Sequence, residues 1–366
     1  MEEKPNNKRV LSTSTELEQE QQQELDFYLP TDILLFVFTL LSFKDTARAA
    51  GVCRKWRAAA ATVQNLGTPP RLLHLPTIYS YHRYEFVDLS SRQSHSLSLP
   101  KCRRGRLYHV RDRWMLFFKA SMRAFTLFCP YTTDSVQLPR LSEEFKGAAF
   151  SGNPKSPDCV VVAINISLYT RATISTCRPG DDKWTTVTYQ SQYPFPDCIW
   201  SCAVACNGSF YWMSPSGRVG IFDPTRNNWR VFNAEHDHLV NGGFPNRRRW
   251  FMAEHGGEVF LVRTCIVCSV AVFKFDQTEL DWVEVRDLGG ITIFVSPKGS
   301  YIKDKMPGRM RDCIFFSDDQ YFMRYLRHQK RYFREALIRP KEQHEAVWID
   351  APEDDSVLQG SSKPAT

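Results

Sequence analysis

Cys265 and Cys268, in the segment "VRTCIVCSVAVF", have the spacing of half a zinc site, in which two thiolates close together in sequence meet two further ligands from elsewhere. No second pair at that spacing accompanies them, so they read as small side chains of a strand. Cys198, Cys202 and Cys206 are separated by even numbers, which on an extended strand turns all three to one face as core residues. His236 and His238 in "AEHDHLV" would share a strand face, but no further ligand stands near them and they read as a polar loop. No H-E-x-x-H, phosphate-binding G-x-x-x-x-G-K-[ST], G-x-S-x-G or G-x-G-x-x-G occurs. The expectation is a non-enzymatic chain with no catalytic residue, no metal and no cofactor.

Charge offers a different chemistry, that of binding. The chain of 366 residues carries +7, with −4 in residues 1–26 and −2 in 351–366, which leaves +13 on residues 27–350. Bases crowd into "KCRRGRLYHVRDR", "NRRRW" and "RYLRHQKRYFREALIRPK". A guanidinium pairs in bidentate fashion with carboxylate or phosphate, so Arg103, Arg104 and Arg106, and Arg247, Arg248 and Arg249, are candidate contacts to an acidic or phosphorylated protein segment. A merely solvated surface is the other reading of each run, and a scaffold bound to nucleic acid is the disfavoured rival.

Eleven cysteines are an odd number in a long chain whose start, "MEEKPNNKRVLSTST", lacks the apolar stretch of an export signal. Reduced, buried thiols in the cytoplasm or nucleus are expected. The longest apolar run, Ile33 to Phe38 followed by Leu40 and Leu41, falls far short of the roughly 20 residues that span a membrane, so no membrane partner is expected.

The elements that would present these residues differ along the chain. Residues 1–26 are polar and low in complexity, and 351–366 are likewise read as a disordered tail. A helical segment occupies 27–66, with "QNLGTPP" as the break. Within it Ile33, Leu34, Val37, Phe38 and Leu41 follow the spacing of one helical face, Pro30 and Asp32 suit a first turn, and Ser42 with Asp45 begins a second helix that Gly51 ends. A third helix carries Trp56. Three short helices enclose too little volume for so many large side chains, so part of the apolar surface is expected to meet a partner.

From 67 to 350 the texture becomes short aromatic and β-branched runs divided by Gly, Pro, Asn and Asp. The clearest unit is "NGSFYWMSPSGRVGIFDPTRNNWRVF", Asn207 to Phe232. Similar openings at Gly105, Cys159, Gly208, Gly257 and Cys313 are 54, 49, 49 and 56 residues apart, and similar closings at Val136, Trp184, Trp229 and Trp282 are 48, 45 and 53 apart. A period near fifty with several short strands per unit favours a kelch-like β-propeller of about six blades over a two-sheet sandwich or other all-β fold, its repeated tryptophans packing blade on blade.

Leu29-Pro30-x-Asp32, Val37, Leu41, Asp45, Arg48, Val52-Cys53 and Trp56-Arg57 together resemble the F-box, and the ending "VCRKWRAAA" is similar to that of plant F-box proteins with a kelch-like propeller. The region beyond resembles the same family through "LFCPYTTDSVQLP", "GRVGIFDPTRNNW", "GEVFLVRT", "LDWVEVRDLGG", "DCIFFSDD" and "VWID", and departs from it after Asp319 in the basic "MRYLRHQKRYFREALIRP". The resemblance implies an F-box that docks on a Skp-type adaptor, and through it on a cullin/RING core, while the propeller recruits a protein for ubiquitylation. It assigns adaptor contact to Leu29, Pro30, Val37, Leu41, Val52, Cys53 and Trp56, of which Val52 and Trp56 also suit the bundle's own core.

Overall fold

The computed structural model describes residues 29–38, 41, 48–64, 68–75, 83–89, 94–98, 105–195, 203–214, 217–234, 248–265, 270–306, 310–317, 322–326, 331–334 and 346–351. By contacts the chain divides into a small unit running to Gly67 and a large one beginning at Thr68.

In the small unit α1 spans Thr31–Phe38 and α2 spans Arg54–Gln64. The carbonyl of Pro30 accepts the Leu34 amide, so Pro30 stands just before the first turn, where its missing N–H costs nothing. Asp32 lies in that turn and complements the helix dipole. Leu34 and Phe38, one turn apart, are buried with Ala59 and Ala60 of α2. Two alanines in a row let α2 approach closely, and the Trp56 ring meets Phe38 edge to face at 5.6 Å. The stripe read from sequence is thus rotated: Ile33 faces outward and is 50% exposed. Of the second helix, Ser42 and Asp45 lie outside the described residues, and its end is marked by Gly51 and Val52 amides donated to Arg48 and Ala49.

The large unit is a six-bladed propeller. Blade two occupies residues 106–140, blade three 147–190, blade four 204–232 and blade five 248–284, each a four-stranded antiparallel meander. Blade one combines strands within 71–98 with Ala346–Ile349, which takes the innermost place and pairs with Arg71–His74, Leu72 opposite Trp348. The last strand therefore closes the ring against the first. Blade six, 292–334, has five strands: Tyr301–Lys303 turns back as an extra innermost strand, and Thr292–Val295 runs parallel to Cys313–Ser317. The basic stretch that departs from the family pattern supplies its outer strands, Phe322–Leu326 and Arg331–Arg334.

Position in a blade decides side-chain size. Inner strands converge on the axis and carry small residues, as in Gly147-Ala148-Ala149 and Ala203 to Ala205, whereas the outer strand Thr185–Gln190 is threonine-rich and half exposed. The core forms successive layers between neighbouring blades: one joins blades three and four, the next four and five, then five and six, and a fourth joins six to one. Such layering is the expected outcome when each sheet has two apolar faces to cover.

The closing landmarks mark the fourth strand of their blades. Trp184, Trp229 and Trp282 each donate the indole N–H into the preceding blade or the segment leaving it, to the Pro139 carbonyl at 2.9 Å, the Ser191 hydroxyl at 2.8 Å and the Gly217 carbonyl at 3.1 Å. Trp348 does the same across the closure, to the Val295 carbonyl at 3.0 Å. The opening landmarks are less uniform: Gly208 and Gly257 form the first hairpin, Cys159 precedes a second strand, and Gly105 precedes an inner strand.

Candidate functional site

Two surfaces gather polar or apolar side chains of functional type, and only the first carries residues singled out above. On the helical unit the buried core, among the described residues, is four side chains, and Leu29, Leu41 and Trp56 pack partly against it. Lys55 Nζ donates to the Leu29 carbonyl at 2.8 Å and ties the entry of α1 to α2. Pro30 is exposed, Val37 and Cys53 are half-buried, and Val52 is 65% exposed. Trp56 is thus a core ring and Val52 is not. Phe36, 51% exposed, joins Ile33 and Val52 as a large apolar side chain turned to solvent. Ile33 and Phe36 fall outside the set assigned by resemblance; two bulky residues flanking the Leu34 and Phe38 positions were the available signal.

The second surface is the axial channel. Its cavity of about 210 Å³ is bordered by the ends of inner strands and by the turn into the extra strand of blade six. Inner strands run parallel around the axis: His109 bonds the Ala203 carbonyl at 3.2 Å, and two residues on Arg111 bonds the Ala205 carbonyl at 2.6 Å. Arg111 also meets Glu254 at 3.4 Å, and Glu254 accepts the Gly257 amide at 3.1 Å. Lys303 pairs with Asp350 at 2.7 Å and His255 with Asp304 at 3.0 Å. The Tyr301 hydroxyl and the Asp350 amide both donate to the Asp112 carbonyl, each at 2.9 Å. These bonds join blades one, two, four, five and six around the channel.

His109 is buried, and burial, reinforced by the Arg111 charge and opposed by its bond to Ala203, lowers its pKa from 6.5 to about 3. It is therefore neutral, donating from Nε2 to Ala203 and accepting the Phe150 amide at Nδ1 at 3.5 Å. Cys177 and Cys206 are free thiols that burial pushes up to about 12 and about 11, far from a reactive thiolate. Among the described residues no three His, Cys, Asp or Glu side chains converge as metal ligands.

The arginine triplets are placed in part. Arg106 begins the inner strand of blade two, exposed, with its guanidinium 5.4 Å from the Tyr108 ring centre. Arg248 and Arg249 begin that of blade five, pairing with Cys265 and Thr264, and Arg249 is exposed. Both starts lie on the face opposite the ends of these strands that border the channel cavity. Arg103, Arg104 and Arg247 lie outside the described residues, as do Cys198, Cys202, Cys268, His236 and His238.

A family model described as F-box-like matches residues 27–64, and one described as KIB1-4 beta-propeller matches 86–343. An F-box/kelch-repeat protein of Arabidopsis thaliana is 33% identical over 301 residues, 79% of this chain and 82% of its own length. An F-box protein of the same plant is 28% identical over 308 residues, 80% of this chain and 82% of its own. Another F-box/kelch-repeat protein of that plant is 28% identical over 310 residues, 82% and 81% of the two chains. A helical unit with apolar side chains left outside its core, followed by a six-bladed propeller matched across its blades, makes this chain a member of the plant F-box proteins with a KIB1-4 β-propeller.

Proposed function

We propose that this protein is the non-catalytic substrate receptor of an SCF-type ubiquitin ligase, its F-box held by a Skp-type adaptor on a cullin/RING core and its propeller holding the protein to be ubiquitylated. The observation that carries the reading is the exposure of Ile33, Phe36 and Val52 in a unit whose buried core, among the described residues, is Leu34, Phe38, Ala59 and Ala60. Exposed apolar side chains gathered on so small a bundle are stabilised by a partner that removes them from water. Pro30, Val37 and Cys53 extend this surface, while Leu29, Leu41 and Trp56 support it from within. The chain then acts by tethering, which raises the local concentration of the captured protein to the order of mM beside the conjugating enzyme. The reading places the complex in the cytoplasm or nucleus.

Calorimetric titration of the full chain with a Skp-type adaptor tests it. Ile33→Ser with Phe36→Ser should weaken binding by about 2 kcal/mol or more while the circular dichroism of the free chain is unchanged, because neither side chain belongs to the core. Undiminished affinity in a folded double variant would remove the assignment.

A further inference from the structure

The hairpin joining the second and third strands of blade three is Leu168-Tyr169-Thr170, and Leu168 and Tyr169 both have left-handed backbones, φ 51° and 60°. A bulky L-residue there is strained, because its Cβ crowds the following carbonyl, a strain that glycine and, in part, asparagine avoid. Two other tight hairpins with left-handed backbones are Asn207-Gly208 and Gly256-Gly257, and single left-handed residues such as Arg123, Thr133 and Leu280 occur elsewhere, but among the described residues only Leu168-Tyr169 places two non-glycine residues in succession there. At 168–169 the chain keeps a leucine that is 80% exposed and a tyrosine that is 62% exposed, so neither is retained for burial in the blade.

A third exposed side chain is fixed beside them. The Ser191 amide donates to the Thr170 carbonyl at 2.7 Å and the Phe195 amide to the Tyr169 carbonyl at 2.6 Å, which brackets the exposed Tyr193 between two bonds to the hairpin. Phe195 is buried against Trp229, and Arg218 grips the Pro194 carbonyl at 2.9 Å. The result is a knob of one leucine and two tyrosines on a backbone held in place; tyrosine is among the residues enriched at the centres of protein interfaces, and a pre-ordered backbone lowers the entropy lost on binding.

Its surroundings are basic. The hairpin lies on the face where inner strands begin, and at the strand ends and turns of blades two to four on that face the described residues include seven Lys and Arg, Arg171 and Arg218 nearest the knob, against two acids, Glu143 and Glu144. At the opposite ends of the same blades six bases meet six acids. We propose that Leu168, Tyr169 and Tyr193 form the anchor site of the propeller for an acidic protein segment carrying apolar or aromatic side chains. The knob buries the apolar groups and the basic face draws in the carboxylates. This deepens the receptor reading by naming where the captured protein docks and of what chemistry it is.

The probe is a fluorescent Glu–Tyr random copolymer, titrated by anisotropy into the full chain at about 0.15 M salt beside Lys–Tyr copolymer, poly-Glu and a single-stranded oligonucleotide. The parent chain should bind Glu–Tyr about tenfold or more tighter than poly-Glu and reject Lys–Tyr. Leu168→Asn with Tyr169→Gly should lower Glu–Tyr affinity about tenfold while the thermal midpoint stays level or rises, since the substitution relieves the left-handed strain. The inference is overturned if the parent does not bind Glu–Tyr, if the double variant binds it equally well, if the double variant melts lower, or if only the oligonucleotide responds to the substitution. Adaptor titration on the same proteins separates the two readings: it fails in the parent only if the ligase reading is wrong, whatever the copolymer does.

Discussion

His109 shows how a residue type that serves catalysis elsewhere becomes structural here. Both ring nitrogens are engaged by main-chain groups, from Ala203 of blade four and Phe150 of blade three, and its pKa falls from 6.5 to about 3. The folded state therefore binds fewer protons at this site than the unfolded chain between those pH values, and stability rises with pH across the window. On acidification from pH 6.5 the native state should lose up to about 1.4 kcal/mol per pH unit from this group until pH nears 3. Denaturant melts at pH 6.5 and 5 should show a smaller difference for His109→Gln than for the parent chain. Equal differences in the two proteins would mean that His109 stays protonatable in the fold. Nothing in "RLYHVRDR" distinguishes this neutral ring from a solvated one, because its partners lie 41 and 94 residues away.

At the scale of the element, the repeat is physical as well as textual. Phe222 to Trp229 and Phe275 to Trp282 share F-D-x-T-x-x-x-W: the aspartate Oδ1 accepts two amides of the turn, from Thr225 and Arg226 or from Thr278 and Glu279. The turn then reverses through a left-handed residue, Asn227 at φ 50° or Leu280 at φ 56°, and delivers the tryptophan to the neighbouring blade. Trp229 reaches its place because Gly220 has no side chain; a Cβ there would lie 2.2 Å from the indole Cη2. Gly220→Ala should cost about 1–3 kcal/mol through overpacking. Combined with Trp229→Phe, which withdraws that ring edge, the loss should fall short of the sum of the two by at least about 0.5 kcal/mol. Urea midpoints of the four proteins measure this coupling, and strict additivity would show that the indole has room to move aside.

For the whole molecule the decisive contact is the ring closure. Ala346, Val347, Trp348 and Ile349 are at most 4% exposed and complete blade one from the far end of the sequence. A chain ending at residue 345 would leave both edges of the ring open, with Leu72 and Phe294 uncovered beside the missing Trp348. It should lose the single cooperative melt of the parent and bind a hydrophobic dye. Trp348→Ala keeps the strand but removes the ring and its bond to Val295, and should cost about 3–5 kcal/mol in the same calorimetric scan. A cooperative transition at the parent temperature in the truncated chain would show that blade one is stable without its inner strand.

The division into a helical segment and a β region, the repeat near fifty residues, the fourth-strand tryptophans and the F-box pattern were all legible in the sequence, because each depends on neighbours within a turn, a hairpin or a single blade. Periodicity could not decide which helical residues face inward: Ile33 and Leu34 are adjacent and equally apolar, and only the packing of α2, with Ala59 and Ala60 against Leu34 and Phe38, turned one out and the other in. The channel cavity, the neutral His109 and the closure by Ala346–Ile349 likewise join residues tens to hundreds of positions apart. Their geometry is set by how six sheets pack around one axis, and a local pattern carries no record of that angle or of what arrives on the opposite side.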